Sequence, residues 1–339
     1  MNNINIYFNK SELNEYYSYN GKPFFEYFKQ ANGIENINTK AELHNIYRIL
    51  NHNEYILWKY FEAFLISIKQ IKYNNLILNI TENKYIADIE IIDLKKQGFT
   101  LKNLKNNKKI IFNIENEKGF VPADIPIPYF TGLYTKTNID NKLKFTELLN
   151  KKKYFLSYIG GIWRGPRDNN NIPKRKLAID AFFVLNKKNT NQYQELFFAP
   201  LIANTHKHEG ELGWNKGTFG IKAKDIYYDS LFSWQPEGDT PTRRGFYESI
   251  LCGCIPIINV TSFNIYKKLL IGEENVKKIT IIIDDTNYYN GNYVFNYLLG
   301  LNKDKIMEYR NNINKIKDRL QWNIFNNENA FIDVIKKIL

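Results

Sequence analysis

Apolar and polar residues along the chain follow two alternating periods. Short runs of aliphatic residues predict strands at 5–8, 76–80, 86–92, 109–114, 154–158, 194–198, 255–258 and 278–284. Segments with a helical period predict helices at 24–30, 43–50, 54–71, 175–185, 224–232, 265–270, 303–320 and 330–339. Strands that alternate with helices in this way favour an α/β fold with parallel sheets.

The length of the chain, 339 residues, is large for one domain and suits two. The stretch at 132–153 is rich in lysine and asparagine and is interpreted as the link between domains. We therefore predict one domain at 1–150, a second at 151–325 and a last helical segment at 326–339.

The segment from 233 to 258 is the most informative part of the sequence. It predicts the end of a strand, a turn at Gly238 and Asp239, and a helix from about residue 243 to residue 252. Gly253 is expected to end this helix in the left-handed conformation. This order of elements places a helix amino terminus close to the carboxyl end of a strand, where α/β proteins bind ligands.

The start of that helix carries two adjacent cations, Arg243 and Arg244. Thr240 or Thr242 is expected to cap it. Free backbone N–H groups and two arginines together predict an anion site. Glu248, one turn further on, suits hydrogen bonding to sugar hydroxyls, and an ion pair with Arg244 is the alternative.

A glycine-rich loop follows the predicted strand at 154–158. Gly160 and Gly161 let backbone N–H groups approach a phosphate closely, and Arg164 and Arg167 add positive charge. The pattern predicts that the loop stabilises a departing diphosphate. An ordinary turn with solvated arginines is the alternative.

The run from Gln235 to Pro256 carries a family resemblance. It reads Gln-Pro-x-Gly-Asp-x-x-Thr-Arg-Arg-x-x-Tyr-Glu-Ser-Ile-Leu-x-Gly-Cys-Ile-Pro and resembles the signature of exostosin-type glycosyltransferases, family forty-seven. It is most similar to the plant xyloglucan galactosyltransferase branch. The segments 124–130, 155–177 and 321–331 agree in the same order, so the resemblance extends from about residue 120 to the end.

The resemblance implies a GT-B fold, in which two Rossmann-like domains face each other across a cleft. It assigns the acceptor to 1–150 and the nucleotide sugar to 151–325, and it has the helix at 326–339 cross back to the first domain. It implies inverting transfer of a sugar, galactose or xylose, from a UDP-sugar to a glycan or glycoprotein, with no essential metal or other cofactor. The expected donor-binding residues are Gly161, Trp163, Arg164, Arg167, Arg175, Ser233, Gly238, Asp239, Thr242, Arg243, Arg244 and Glu248.

This sequence departs from the family pattern in three ways. Glu248 stands where the plant branch usually has aspartate, and Gly245 replaces a larger residue. The glycine-arginine-aspartate-histidine segment of the family's first domain is not visible. The catalytic base is therefore open: Asp93 follows a predicted strand and is the candidate, with Glu12, Glu15 and Glu117 as alternatives.

Two groups of side chains suggest metal binding only weakly. Asp88 and Glu90 lie within a predicted strand, whereas metal-dependent transferases place such a pair beyond a strand end. His206 and His208 have no evident third ligand and are interpreted as loop residues. We expect no metal site at either.

Composition narrows the function further. The net charge of +12 favours acidic partners, although lysines spread along the whole chain also suit a solvated surface. Two alternatives to an active transferase remain: a catalytically inactive partner subunit, and a basic nucleic-acid-binding protein. For the transferase itself, no nucleic-acid partner is expected. Cys252 and Cys254 are expected as buried thiols, which suits a reducing compartment. No signal peptide or membrane span is recognised, so the expectation is a soluble cytoplasmic enzyme of a microbe or virus.

Overall fold

The computed structural model describes residues 2–8, 70–73, 75–93, 98–114, 123–129, 144–161, 165–186, 195–198, 225–238, 240–322 and 328–339. The chain divides into two compact units, which we call unit 1 (1–134 and 322–339) and unit 2 (135–321). The helices predicted at 24–30 and 43–50, and most of the one at 54–71, lie outside the described residues. The binding roles assigned to the domains stay predictions.

The described strands of unit 1 form one seven-stranded sheet. They are β1 (Asn2–Phe8), β2 (Gln70–Tyr73), β3 (Leu76–Thr81), β4 (Ile89–Asp93), β5 (Gly98–Asn103), β6 (Lys109–Asn113) and β7 (Ile125–Pro126). Their order across the sheet is β2-β3-β1-β4-β5-β6-β7. β1 runs parallel to β3 and β4, but β2, β5 and β6 lie antiparallel to neighbours. The sheet is mixed, so the expectation of a parallel sheet is wrong for unit 1.

The connection between β5 and β6 explains part of this difference. Only residues 104–108 join the two strands, and the Asn103 amide donates to the Lys108 carbonyl at 2.8 Å. Asn107 adopts a left-handed φ of 59° in this turn. A link this short joins antiparallel strands, whereas a parallel pair needs a crossover of a dozen or more residues.

The C-terminal helix (Ala330–Ile338) packs on the unit 1 sheet. Its apolar side chains are buried, and the Asn103 side chain of β5 donates to the Ile338 carbonyl at 3.4 Å. Asn329 caps the helix: its side-chain oxygen accepts from the Ile332 backbone amide at 2.9 Å. Its side-chain nitrogen donates to Tyr73 Oη at 3.2 Å. Because one residue both caps the helix and contacts β2, the start of the helix is held against the sheet.

The described strands of unit 2 form a wholly parallel sheet. They are β8 (Tyr154–Ser157), β9 (Glu195–Phe198), β10 (Ser230–Trp234), β11 (Ile255–Asn259) and β12 (Ile281–Ile283). Their order is β9-β8-β10-β11-β12. In chain order within the unit this is 2-1-3-4-5, a doubly wound arrangement whose strand order reverses between β8 and β10.

Helices of unit 2 lie before, between and after these strands. The described ones are α1 (Phe145–Lys151), α2 (Lys174–Asn186), α3 (Arg244–Leu251), α4 (Val260–Tyr266), α5 (Glu273–Ile279), α6 (Asp285–Tyr288), α7 (Gly291–Leu299) and α8 (Lys303–Ile316), and residues 225–229 are also helical. There are 3-10 turns at Lys84–Ile86 in unit 1 and Lys317–Leu320 in unit 2. Every residue of β10 and β11 is buried, as continuous apolar strands of a parallel sheet require.

Three predicted elements of unit 2 differ from the structure. Of the helix predicted at 224–232, residues 225–229 are helical and 230–232 belong to β10, which begins at Ser230; residue 224 lies outside the described residues. The helix predicted at 265–270 instead begins at Val260, because Asn259 caps it by accepting from the Ser262 amide at 3.0 Å. The strand predicted at 278–284 is only Ile281–Ile283, because α5 continues to Ile279.

A buried lysine lies before β8, near its amino end. Lys152 is 7% exposed, and its ammonium donates to the Tyr228 carbonyl. Burial lowers the pKa of Lys152 from 10.5 to about 8, and the Arg310 charge lowers it further, while Cys254, Cys252 and Asp229 oppose the shift. Between about pH 8 and pH 10.5 the unfolded chain therefore binds a proton that the folded protein does not.

We expect Lys152 to make a contribution to the free energy of unfolding that rises with pH across this window, so the difference in this free energy between wild type and Lys152→Met changes with pH even though the raised pKa of buried Cys254 acts in the opposite direction. Lys152→Met removes the titration and with it this contribution, which is on the order of 3 kcal/mol. Urea unfolding between pH 7 and pH 10.5 measures the difference. Lys153→Met, at an exposed neighbour, is the control and should leave the contribution in place. Parallel curves for wild type and Lys152→Met would contradict the prediction.

Candidate functional site

The candidate site lies at the carboxyl ends of β8 and β10. These strands are parallel neighbours, with Ser157 opposite Ser233, so the residues after them lie at the same edge of the sheet. We call residues 158–161 the β8 loop and residues 235–238 the β10 loop. Their position is the switch point of the unit 2 sheet, where doubly wound proteins bind ligands.

Arg243 links the two loops. Its Nη2 donates to the Ile159 carbonyl at 2.7 Å, and its Nη1 donates to the Pro236 carbonyl at 3.2 Å. The guanidinium carbon lies 5.3 Å from the centre of the Tyr158 ring. Arg243 stands at the N-cap position of α3, so the helix start and both loops meet at one guanidinium.

Arg175, near the start of α2, makes the same kind of link. It is 2% exposed, its Nη1 donates to the Gly161 carbonyl and its Nη2 donates to the Glu237 carbonyl. Its guanidinium carbon lies 5.9 Å from the centre of the same Tyr158 ring. Burial lowers the pKa of Arg175; the electrostatic interaction with Tyr158 raises it, and the charge of Arg243 lowers it again.

Glycines in the site allow close approach of the chain. Gly160 has a φ of +146°, and a Cβ there would lie 2.6 Å from Arg243 Nη2. Gly165 has a φ of +87°, and a Cβ there would lie 2.7 Å from the Glu237 carbonyl oxygen. Both positions therefore exclude a side chain on conformational and steric grounds.

Gly245, which departs from the family pattern, has a local explanation. A Cβ at this position would lie 2.6 Å from Tyr227 Oη and 2.7 Å from Gln235 Oε1. Gln235 also donates to the Ser233 hydroxyl and, at 3.3 Å, to Tyr227 Oη. Ser233, Gln235 and Tyr227 thus form a buried hydrogen-bonded group. Tyr227 and Gln235 occupy the space that a larger side chain at position 245 would need.

Arg244 and Glu248 form the ion pair that was the alternative interpretation of Glu248. Arg244 Nε lies 3.2 Å from Glu248 Oε1, and the side chains are 12% and 8% exposed. Because the pair lies on the first turns of α3, the carboxylate compensates a cation at the positive end of the helix. An ion pair and a hydroxyl contact are compatible, so sugar binding by Glu248 stays a prediction.

The expected threonine cap is wrong. The N-cap residue of α3 is Arg243, whose side chain makes no capping hydrogen bond. Thr242 therefore lies one residue before the cap, and its carbonyl accepts from the Thr240 hydroxyl at 3.2 Å. Gly253 does end the helix in the left-handed conformation, with a φ of 71°, as predicted.

Arg167 and Gly238 make local bonds. Arg167 is exposed, and its Nη1 donates to the Asn171 carbonyl at 2.7 Å within the loop before α2. The Gly238 amide donates to the Thr240 carbonyl at 2.9 Å and closes a turn. The donor contacts predicted for both residues stay predictions.

Several predicted site residues cannot be placed. Trp163, Arg164 and Asp239 lie outside the described residues, as do Glu12, Glu15, Glu117, His206 and His208. Asp93 ends β4, where it pairs with Phe99 of β5, but its side chain is not among the described ones. The role of Asp93 as catalytic base stays a prediction.

The structure adds residues that sequence reasoning missed. Tyr158 is fully buried and donates to the Gly161 carbonyl at 2.7 Å. Glu237 accepts through Oε1 from the side-chain amide of Asn259, at the end of β11. Within the described part of the chain, Tyr289 Oη is buried without a hydrogen-bond partner, and burial together with nearby Glu237 raises the pKa of Tyr289. Position at the end of a predicted strand was the available signal for Tyr158, and position in the loop that follows a strand was the signal for Glu237.

The carboxylates of Asp88 and Glu90 are engaged by lysines. Lys105 lies 2.6 Å from Asp88, and Lys84 lies 2.5 Å from Glu90. Across the part of the chain that the structure describes, no three histidine, cysteine or acidic side chains come together as a potential metal site. In the same residues, no helix combines the length and the hydrophobicity needed to cross a membrane.

Fold and site together define a mixed α/β protein whose parallel sheet carries a buried arginine, Arg175, and a half-buried one, Arg243, at its switch point. The chain is similar to plant glycosyltransferases of Arabidopsis thaliana. A probable xyloglucan galactosyltransferase is 36% identical over 108 residues, which cover 28% of this chain and 21% of the relative. A xyloglucan-specific galacturonosyltransferase is 28% identical over 175 residues, covering 50% and 23%. Another probable xyloglucan galactosyltransferase is 34% identical over 159 residues, covering 47% and 24%.

The predicted resemblance to the plant xyloglucan branch is thereby confirmed. The chain spans less than a quarter of the length of these relatives. No protein-family model matches it.

Proposed function

We propose that the protein is an inverting, metal-independent glycosyltransferase that moves a sugar from a UDP-sugar to a glycan or glycoprotein acceptor. The observation that carries the proposal is the meeting of Arg175 and Arg243 at the switch point of a parallel sheet. Similarity to plant xyloglucan glycosyltransferases supports the reaction class. Two Rossmann-like domains in a GT-B arrangement, and a cytoplasmic location, belong to the same proposal.

In this reaction the acceptor hydroxyl attacks the anomeric carbon, the bond from that carbon to the UDP oxygen breaks, and a base takes the hydroxyl proton. Negative charge develops on the departing diphosphate, so cations and backbone N–H groups fixed beforehand lower the barrier. The β8 loop glycines supply the N–H groups, and the arginines of the site supply positive charge. Asp93 is proposed as the base and Glu248 as a ligand for ribose or sugar hydroxyls.

A thermal-shift screen tests the donor class. UDP, UDP-galactose, UDP-xylose and UDP-galacturonic acid should raise the unfolding temperature by several degrees, because a ligand at a hundred times its Kd adds about 2.7 kcal/mol. GDP- and CMP-sugars are the matched controls and should give smaller shifts. The screen is repeated with a chelator, which should leave the UDP shifts unchanged. The absence of any nucleotide-dependent shift would overturn the proposal.

A catalytically inactive partner subunit is the second candidate. It is favoured by the absence of the family's glycine-arginine-aspartate-histidine segment from the first half of the sequence. Measurement of UDP release from a bound donor separates the two candidates. Binding without release, even when acceptor glycans are present, would favour the inactive subunit.

A further inference from the structure

The geometry points to a positioning role for Arg175, Arg243 and Tyr158, which we call the arginine clamp. We propose that the clamp holds the β8 loop against the β10 loop and so presents the Gly160 and Gly161 N–H groups to a diphosphate. This inference rests on the proposed function for its ligand. Its structural part, the fixing of two loops, is independent of the ligand.

The pattern of hydrogen bonds is the first argument. Each guanidinium binds one carbonyl of each loop: Arg243 binds those of residues 159 and 236, and Arg175 binds those of residues 161 and 237. Four main-chain carbonyls are thus held by two side chains. Arginine suits this task because its planar fork donates in two directions at once, which a lysine ammonium on a flexible stem does less well.

The aromatic ring between the loops is the second argument. Both guanidinium carbons lie within 6 Å of the Tyr158 ring centre, at 5.3 and 5.9 Å, and its hydroxyl donates to the Gly161 carbonyl at 2.7 Å. Arg175 is buried and Arg243 is half-buried, and two cations this close together are unfavourable unless compensated. The ring face and the four carbonyl oxygens supply that compensation, and the arrangement persists only while the loops stay together.

The free donors of the β8 loop are the third argument. Among the described residues, the amides of Gly160 and Gly161 donate no hydrogen bond within the chain, although the Gly161 carbonyl accepts two. Successive free N–H groups beside two cations suit an anionic ligand. The clamp binds carbonyls of the β8 loop and leaves the amides of Gly160 and Gly161 available to a ligand.

The test compares two buried arginines that both bind main-chain carbonyls. Arg175→Ala opens the clamp. Arg310→Ala is the matched control, because Arg310 is 5% exposed and donates to the Gly253 carbonyl at 2.8 Å, just before the amino end of β11. Hydrogen exchange of the ligand-free proteins and titration with UDP are measured for both. Arg175→Lys and Tyr158→Phe give milder versions should Arg175→Ala fail to fold.

We expect Arg175→Ala to speed amide exchange in peptides covering 154–161 and 234–242 and to weaken UDP binding at least about tenfold. Millimolar guanidinium chloride should restore part of the affinity by filling the vacated site. Arg310→Ala should lose comparable stability, yet keep wild-type exchange in these peptides and a UDP Kd within about twofold.

Unchanged exchange in both loops of Arg175→Ala, or of its milder substitutes, would overturn the clamp. If exchange in both loops were unchanged but UDP binding were weaker, Arg175 would act by contacting the ligand directly. A wild type that binds no UDP would refute the proposed function, and loop exchange alone would then decide the structural part of the inference.

Discussion

Glu248→Ala is expected to lower kcat/KM about a hundredfold or more. The carboxylate is proposed to bind ribose or sugar hydroxyls, and loss of a charged hydrogen bond of this kind raises the barrier by about 2–3 kcal/mol. Because Glu248 pairs with Arg244 at 3.2 Å in a largely buried setting, the substitution also leaves a cation at the start of α3 without its acid. A loss of stability of about 1–3 kcal/mol should accompany the loss of turnover.

A second substitution at Glu248 separates these two effects. Glu248→Gln keeps the shape and hydrogen-bonding capacity of the side chain and should be more stable than the alanine variant. It should remain strongly impaired in turnover, because the amide is a weaker acceptor than the carboxylate. Steady-state kinetics and urea unfolding are measured on the same preparations.

Glu273→Ala provides the control. Glu273 also forms an i,i+4 pair, with Lys277 at 2.8 Å, but both side chains are exposed and lie on α5. This variant should lose little stability, because exposed ion pairs are screened by solvent, and should keep wild-type turnover. Wild-type kinetics in Glu248→Gln and Glu248→Ala would remove Glu248 from the proposed site.

Gly160→Ala is expected to reduce both stability and UDP affinity. The backbone at Gly160 has a φ of +146°, and the added Cβ would lie 2.6 Å from Arg243 Nη2. To make room, Arg243 must leave the Ile159 carbonyl, which breaks one link of the clamp. We expect a cost of about 2–4 kcal/mol and a UDP Kd raised at least about tenfold.

Two other glycines separate backbone strain from the steric effect. Gly272 has a φ of +87° and no atom within 4 Å of an added Cβ, so Gly272→Ala measures strain alone, about 1 kcal/mol. Gly238→Ala meets nothing closer than 3.8 Å and should change stability by less than about 0.5 kcal/mol. A Gly160→Ala protein as stable as Gly272→Ala, with unchanged UDP affinity, would contradict the expected displacement of Arg243.

Local patterns predicted the elements around the site well. The motif helix, its glycine end and the buried strand at 255–258 all appear within one residue of their expected bounds. Prediction was poorer where a neighbouring element competed for the same residues. Leu231 and Phe232 suit a helix face as well as a buried strand, and only the parallel partners β8 and β11 select the strand.

The candidate site shows a similar division. Arg175 and Arg243 were recognised as site residues because their charge and motif position are visible in the sequence. Their partners were not, because main-chain carbonyls have no sequence signature and the two loops are separated by more than 70 residues. Tyr158 was missed because an aromatic residue at the end of a strand is usually interpreted as part of the hydrophobic core.

The sequence by itself determined the class of the second half of the chain: buried strands, a helix with arginines at its start and a left-handed glycine at its end. These features depend on contacts within a few residues, so periodicity and capping reveal them. Only the tertiary structure decided that the unit 1 sheet is mixed and that unit 2 has its switch point between β8 and β10. Only it showed that two arginines hold four carbonyls there, because strand order and long-range hydrogen bonds depend on which segments meet in space.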